Sequence, residues 1–206
     1  YTITFDSAGG SAVDPITQDY GTAVTAPAAP TREGYTFAGW DPAVPTPMPA
    51  ADTTCVAQWT VNQYAVTYDG NSNTGGTVPV DTASPYDYGA TVTVLGNTGS
   101  LVKTGYSFSG WNTAAGGGGT HYDAAATFTM PAGAVTLYAQ WTADAQTLEY
   151  DANGGTGTMA DSVHPTDTVF NLTTNAYTRE GYTFNGWNTV DVGGGLSYAD
   201  GASYTM

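Results

Sequence analysis

The sequence predicts a mainly β fold, arranged as a tandem array of three small β-rich modules with at most short helical turns. Three observations carry that expectation. The stretch GYTFAGW at residues 34–40 returns as GYSFSGW at residues 105–111 and as GYTFNGW at residues 181–187. All five tryptophans fall in recurring motifs, this one and the VAQWT of residues 56–60, which reappears as YAQWT at residues 138–142. Within the first motif Tyr35 and Phe37 alternate with Thr36 and Ala38, the period of two that a half-buried strand requires. Internal repetition of this length divides the 206 residues into three units of roughly 60 to 80 residues.

The first module, residues 1–62, opens with YTITFD, where Tyr1, Ile3 and Phe5 alternate with threonines before Asp6 and the turn residues 7–10. A polar, proline-bearing passage leads through Tyr20-Gly21 to the central motif. Pro42, Pro45, Pro47 and Pro49 then forbid a helix interior, and a closing strand is expected over about residues 53–60. The second module, residues 63–144, repeats the order with YAVTYD, YGATVTVL, GYSFSGW and TLYAQW. Trp111 and Trp141 stand 30 positions apart against 19 for Trp40 and Trp59, so the extra residues around 116–119 form a flexible glycine loop between strands. That loop lacks the Lys-Ser/Thr pair of a phosphate loop.

The third module, residues 145–206, starts with QTLEYDANGG and repeats the insertion at residues 193–195. Its Met206 matches Met130, after which the second module has its closing strand, so the third is expected to lack that strand. An open sheet edge invites strand addition, either from a longer chain or from a neighbouring molecule, with residues 1–5 as one candidate donor. Near residues 163–172 the tyrosine-glycine pair of the other copies is missing, which leaves the strand register there open.

The balance of 18 acidic against 3 basic residues, a formal charge of -15, repels phosphate backbones and anionic head groups. Nucleic acid is therefore not expected as a partner, and with no apolar run long enough to span a bilayer, membrane insertion is not expected either. Cys55, the sole cysteine, occupies the slot that Leu137 fills in the next copy and reads as a buried apolar substitute.

With FDSAGG or YDANGG openings, the R-E-G-Y-T-F-x-G-W centre and the L-Y-A-Q-W close, each module resembles the Listeria-Bacteroides repeat, the group that includes the B-repeat of listerial internalins. The resemblance covers nearly the whole chain. It implies a module similar to a β-grasp, strung in tandem in secreted or surface-anchored proteins as stalks, spacers or adhesive segments. No catalytic residues come with it.

Residues that return once per copy are what each small core needs. On that ground Tyr35, Phe37, Gly39, Trp40 and Trp59, then Tyr106, Phe108, Gly110, Trp111 and Trp141, then Tyr182, Phe184, Gly186 and Trp187 are expected to build the cores. The glycines mark a bend or the close approach of a ring, for which the tryptophans are candidates. The three cations, Arg32, Lys103 and Arg179, each stand two places before the glycine of GYxFxGW and need a fixed partner, a carboxylate or an aromatic face. Asp6, Asp69 and Asp151, at the end of each opening strand, are the expected counter-charges.

The calcium-like string from Asp69 fails, because the turn glycine falls one place late and Val80 stands where a bidentate glutamate would be needed. His121 and His164 read as solvated loop residues without a second ligand at metal spacing. No catalytic residue, metal site or cofactor is expected. The sequence points to a non-enzymatic, extracellular structural array, a stalk, fibre segment or adhesin shaft that could assemble into a filament. The alternative is an adhesive module that binds a surface glycan or receptor through exposed aromatics.

Overall fold

The computed structural model describes residues 1–192 and 194–206. Gly193, the first glycine of the third copy's insertion, lies outside the described residues. Every regular element among the described residues is a strand, as a sequence rich in aromatic and β-branched residues and punctuated by 27 glycines and 11 prolines favours. The chain divides into two compact units, one of Tyr1–Asn71, Thr77–Ser100 and Gly110–Gln140, the other of Ser72–Gly76, Leu101–Ser109 and Trp141–Met206. Residues of the second sequence copy fall in both.

In the first unit, β1 (Thr2–Asp6), β2 (Ile16–Thr17), β3 (Tyr35–Asp41) and β4 (Thr53–Val61) form a sheet of order β2-β1-β4-β3. The closing strand β4 lies inside the sheet, parallel to β1 and antiparallel to β3. Its alternation turns Cys55 and Ala57 inward, where Cys55 joins Ile3, Phe5, Val24 and Met48 in the core. Burial pushes the Cys55 thiol pKa up, as an apolar slot should. The aromatics of the central motif contribute less than their repetition suggested: Phe37 and Trp40 are only half-buried. The reason is position, since β3 is the edge strand and its rings cover one flank of a core that the interior strands fill.

β3 also carries a bulge. Phe37 stands opposite Trp59, Gly39 opposite Gln58 and Trp40 opposite Ala57, so Ala38 is the extra residue. One extra residue in a period-two strand moves Trp40 onto the face that Phe37 occupies, and the two rings meet edge-on at 5.2 Å. Gly39 sits there at φ 128°, which a side chain disfavours, and Gly110 and Gly186 repeat the conformation at 120° and 125°.

The plan returns in β5 (Gln63–Tyr64), β6 (Val66–Asp69), β7 (Tyr86–Asp87), β8 (Thr91–Thr93), β9 (Tyr106–Asn112), β10 (His121–Tyr122), β11 (Thr127–Thr129) and β12 (Val135–Ala143). The sheet order is β10-β9-β12-β6, with β12 parallel to β6 and again interior. β5 pairs with β7 and β8 with β11. Here the central tryptophan is fully buried: Trp111 packs on Tyr68 at 4.8 Å and donates its indole N–H to the Leu95 carbonyl at 2.9 Å.

Two loop expectations change. The glycine loop is tied down by the buried Asn112, whose Oδ1 accepts from the Ala114 and Gly119 N–H groups and whose Nδ2 donates to the Gly117 and Gly119 carbonyls. His121 stands in β10, paired in register with Asn112, and not in a loop.

In the second unit β13 (Ala145–Leu148), β14 (Ser162–Pro165), β15 (Val169–Asn171), β16 (Trp187–Asn188), β17 (Ser197–Tyr198) and β18 (Ser203–Thr205) form three ladders, β13-β14, β15-β18 and β16-β17. His164 therefore also lies in a strand, stacked on Phe170. Residues 163–172 keep the register of the other copies. Asp167, at φ 61°, takes the turn that Gly21 and Gly89 make at 80°, and its N–H donates to the Met206 carbonyl as theirs do to Met48 and Met130.

The third central strand does not form as expected: of GYTFNGW only Trp187 is in a strand, and residues 149–151 of the opening segment lie outside any strand as well, the Tyr150 carbonyl accepting instead from the Tyr177 hydroxyl. In the other copies the closing strand lies between those two segments and supplies the hydrogen bonds of both. The third copy has no such strand among the described residues.

Candidate functional site

The residues that recur most faithfully in space form a joint between one copy and the next. At the first joint the N–H of Asn62 donates to the Gly34 carbonyl at 2.9 Å, and the N–H of Tyr88 donates to the Asn62 carbonyl at 2.8 Å. Thr36 Oγ1 donates to Asn62 Oδ1 at 2.6 Å. The Tyr88 ring lies so close over Gly34 that a Cβ built there would fall inside it, and it meets Tyr35 edge-on at 5.9 Å.

The second joint has the same wiring with different residues. Asp144 N–H donates to the Gly105 carbonyl at 2.9 Å, Thr166 N–H donates to the Asp144 carbonyl at 2.9 Å, and Ser107 Oγ donates to Asp144 Oδ1 at 2.5 Å. A Cβ on Gly105 would stand 2.6 Å from the Thr166 methyl. Tyr106, the counterpart of Tyr35, donates its hydroxyl to Asp167 Oδ2 at 2.6 Å, a bond that raises its pKa. The side chain that closes over the glycine before the aromatic pair is thus the Tyr88 ring at Gly34 and the Thr166 side chain at Gly105. In the third copy Gly181 repeats φ 76° with nothing within 4 Å of its Cβ position, and Tyr182 is 68% exposed.

Sequence reasoning missed Asn62, Asp144, Tyr88 and Thr166. Only Asn62 and Asp144 left a trace, as single polar residues directly after the closing strands.

The repeated cations partner rings and not the repeated carboxylates. The Arg32 guanidinium lies 3.9 Å from the Tyr35 ring centre, the Lys103 ammonium 4.3 Å from Tyr106 and the Arg179 guanidinium 4.3 Å from Tyr182. Arg32 also donates to the Ala8 carbonyl and Arg179 to the Asn153 carbonyl. The carboxylates cap their own turns instead: Asp6, Asp69 and Asp151 accept from the N–H groups of Ala8, Asn71 and Asn153, all at positive φ. An aspartate two residues before a left-handed residue is held locally, so the cation is left to the ring that its own backbone presents. Among the described residues the close acid–base pair is His121 with Asp123, at 3.2 Å and well exposed. Gly39, Gly110 and Gly186 serve the bulge, and Phe108 meets Trp141 edge-on at 5.8 Å as Phe37 meets Trp59 at 5.6 Å.

The family model for the Listeria-Bacteroides repeat domain matches residues 1–44, 64–140 and 147–206. The chain is 38% identical over 149 residues to a putative membrane protein of Evansella cellulosilytica, covering 68% of this chain and 22% of that protein. It is 34% identical over 180 residues to a putative Gly-rich membrane protein of the same organism, covering 76% and 19%. It is 37% identical over 151 residues to Internalin H of Listeria monocytogenes, covering 69% and 25%. The chain spans about a fifth to a quarter of the length of these relatives. No solved structure matches it significantly. With three consecutive matches to one family model and the same strand plan behind the first two, the chain belongs to the Listeria-Bacteroides repeat family.

Proposed function

We propose that this chain is a non-enzymatic structural array within a cell-surface protein, three repeats over residues 1–62, 63–144 and 145–206 that act as a stalk, fibre segment or adhesin shaft outside the cell. The observation that carries the reading is the joint. The same backbone wiring recurs at Asn62 and Asp144, with a one-residue connector whose N–H and carbonyl are both bonded. Such a connector has no slack, which suits a spacer better than a hinge. Kinship with Internalin H and with two proteins described as membrane proteins supports a place at the cell envelope. The glycan-binding alternative is weakened because the exposed aromatics among the described residues, Tyr1, Tyr20, Tyr182 and Phe184, do not recur at one position in every copy.

The test is backbone relaxation by NMR. Residues on the two sides of the first joint should share one rotational correlation time, and Gly34→Val, which drives a side chain into the Tyr88 ring, should separate them. Independent tumbling in the parent chain would overturn the spacer reading, and saturable binding on a glycan array would favour the adhesive one.

A further inference from the structure

Asparagine followed by glycine occurs twice in the chain, at Asn153-Gly154 and at Asn185-Gly186. The pair is chemically reactive, because glycine has no Cβ to shield its main-chain nitrogen from the carbonyl carbon of the preceding side chain. Whether those two atoms meet depends on how firmly the asparagine is held. The two sites differ in that respect.

Asn153 is held at every group that the reaction must move. It sits at φ 43° beside Gly154 at 80°, in a turn closed by the Gly155 N–H on the Ala152 carbonyl at 2.9 Å. Its own N–H donates to Asp151 Oδ1 at 2.6 Å, its carbonyl accepts from Arg179, and its Nδ2 donates to the Asp191 carbonyl at 2.9 Å. Asn71 makes the same side-chain contact in the second copy, with the Ala115 carbonyl at 2.9 Å, so the hold belongs to the repeat. Asn185, by contrast, is exposed, and no hydrogen bond from a described residue reaches its side chain. It takes the place of Ala38, the extra residue of the bulge, with Gly186 at φ 125° where Gly39 has 128°. Ala38 and its second-copy counterpart Ser109 are exposed too, although β4 and β12 lie beside their strands. The exposure of this position is thus set by the bulge and not by what lies next to the strand.

We infer that Asn185 is a site of spontaneous deamidation, and that the fold protects Asn153 from the same reaction. The Gly186 nitrogen gives up its proton and bonds to Cγ of Asn185, while Nδ2 leaves with a proton as ammonia, so that a cyclic succinimide remains. Water then opens the ring. Attack at Cγ leaves aspartate, and attack at the main-chain carbonyl leaves isoaspartate, in which the chain runs through the side-chain carbon. Nothing is oxidised or reduced, and solvent supplies the only co-reactant. Either product adds a negative charge to an already acidic chain. Isoaspartate also adds a backbone carbon between Phe184 and Trp187, whose rings meet edge-on at 5.0 Å, directly before β16. The inference is independent of the spacer reading, since a chain with loose joints would carry the same two sites.

The test ages the 206-residue chain at mildly alkaline pH, folded and in parallel unfolded in urea, and reads each site by mass spectrometry of peptides prepared at acid pH. In the folded chain Asn185 should convert, with ammonia released in step, about tenfold or more faster than Asn153, which must first give up its hydrogen bonds. In urea the two rates should converge, because only the fold separates them. Ageing should also raise amide hydrogen exchange at Trp187 and Asn188 in the parent and not in Asn185→Gln, whose longer side chain closes the ring poorly. Equal rates in the folded chain, a difference that persists in urea, an Asn185 that stays intact while the unfolded chain converts, or the same exchange change in Asn185→Gln would each overturn the assignment.

Discussion

Arg32, Lys103 and Arg179 show how a residue's partner is chosen by backbone geometry before charge. Each lies over the tyrosine three positions later, and the bridge pairing of Arg32 with Tyr35 and of Lys103 with Tyr106 fixes that approach. A double-mutant cycle between Arg32 and Tyr35 should therefore return a coupling of about 0.5 to 1 kcal/mol, as expected of an exposed cation over a ring. The same cycle between Arg32 and Asp6 should return close to zero, and a larger value would restore the ion pair. The once-per-copy recurrence of the cations was legible in the sequence. Their partner was not, because the aspartates recur just as regularly and only the fold shows their oxygens turned to their own loops. A titration belongs to this scale as well. Tyr86 donates to Asp81 at 2.9 Å, and burial, followed by that carboxylate, pushes its pKa up to about 12. The folded state holds the phenol proton more tightly than the unfolded state, so this stability is complete below about pH 10 and is lost as pH rises from about 10 to 12. Denaturant midpoints across that window should fall more for the parent than for Tyr86→Phe.

At the level of the strand, the central motif is organised by its bulge. In a regular strand Phe37 and Trp40, three positions apart, would point to opposite faces; the bulge at Ala38 brings them together, and Trp40 reaches Phe5 at 4.9 Å. Gly39→Ala should cost about 1 to 3 kcal/mol through backbone strain alone. Gly110→Ala should cost more, since its Cβ would also stand 2.6 Å from His121. Thermal or chemical denaturation measures both, and parent-like stability in either would deny the bulge its role. Trp111→Ala should cost about 3 to 5 kcal/mol, and Trp40→Ala less, because only Trp111 is wholly enclosed. The period-two pattern made β3, β4, β9 and β12 readable without coordinates. It did not disclose that the closing strand is interior, and hence that Cys55, Leu137, Ala57 and Ala139 lie in the cores while the conspicuous aromatics of the first copy sit at the margin. Nor did it disclose that residues 182–186 of the third GYTFNGW stay outside any ladder, since pairing depends on a partner strand and not on the segment's own residues.

Across the whole chain, the threefold repetition was the strongest sequence signal, and the three family matches follow it. The joints were the least legible part, because Tyr88 and Thr166 differ in size and shape and make the same contact through their backbone N–H groups. The parallel neighbour relation of β1 and β4, with Ile3 opposite Thr53 and Asp6 opposite Val56, has a mechanical consequence. The chain enters the first copy at the start of β1 and leaves at the far end of β4, so tension applied at those ends slides two hydrogen-bonded strands past one another. Shear of that kind strains all the rungs of the ladder at once, whereas a pull at Thr2 and Thr53, which lie at the same end, opens them one by one. In a single-molecule experiment with cysteine handles, attachment at Thr2 and Val61 should need a distinctly higher rupture force than attachment at Thr2 and Thr53. Equal forces would mean that the ladder is not what resists extension. The same relation holds between β6 and β12, from Val66 opposite Val135 to Asp69 opposite Tyr138, so two successive copies present a shear clamp to any force drawn along the chain.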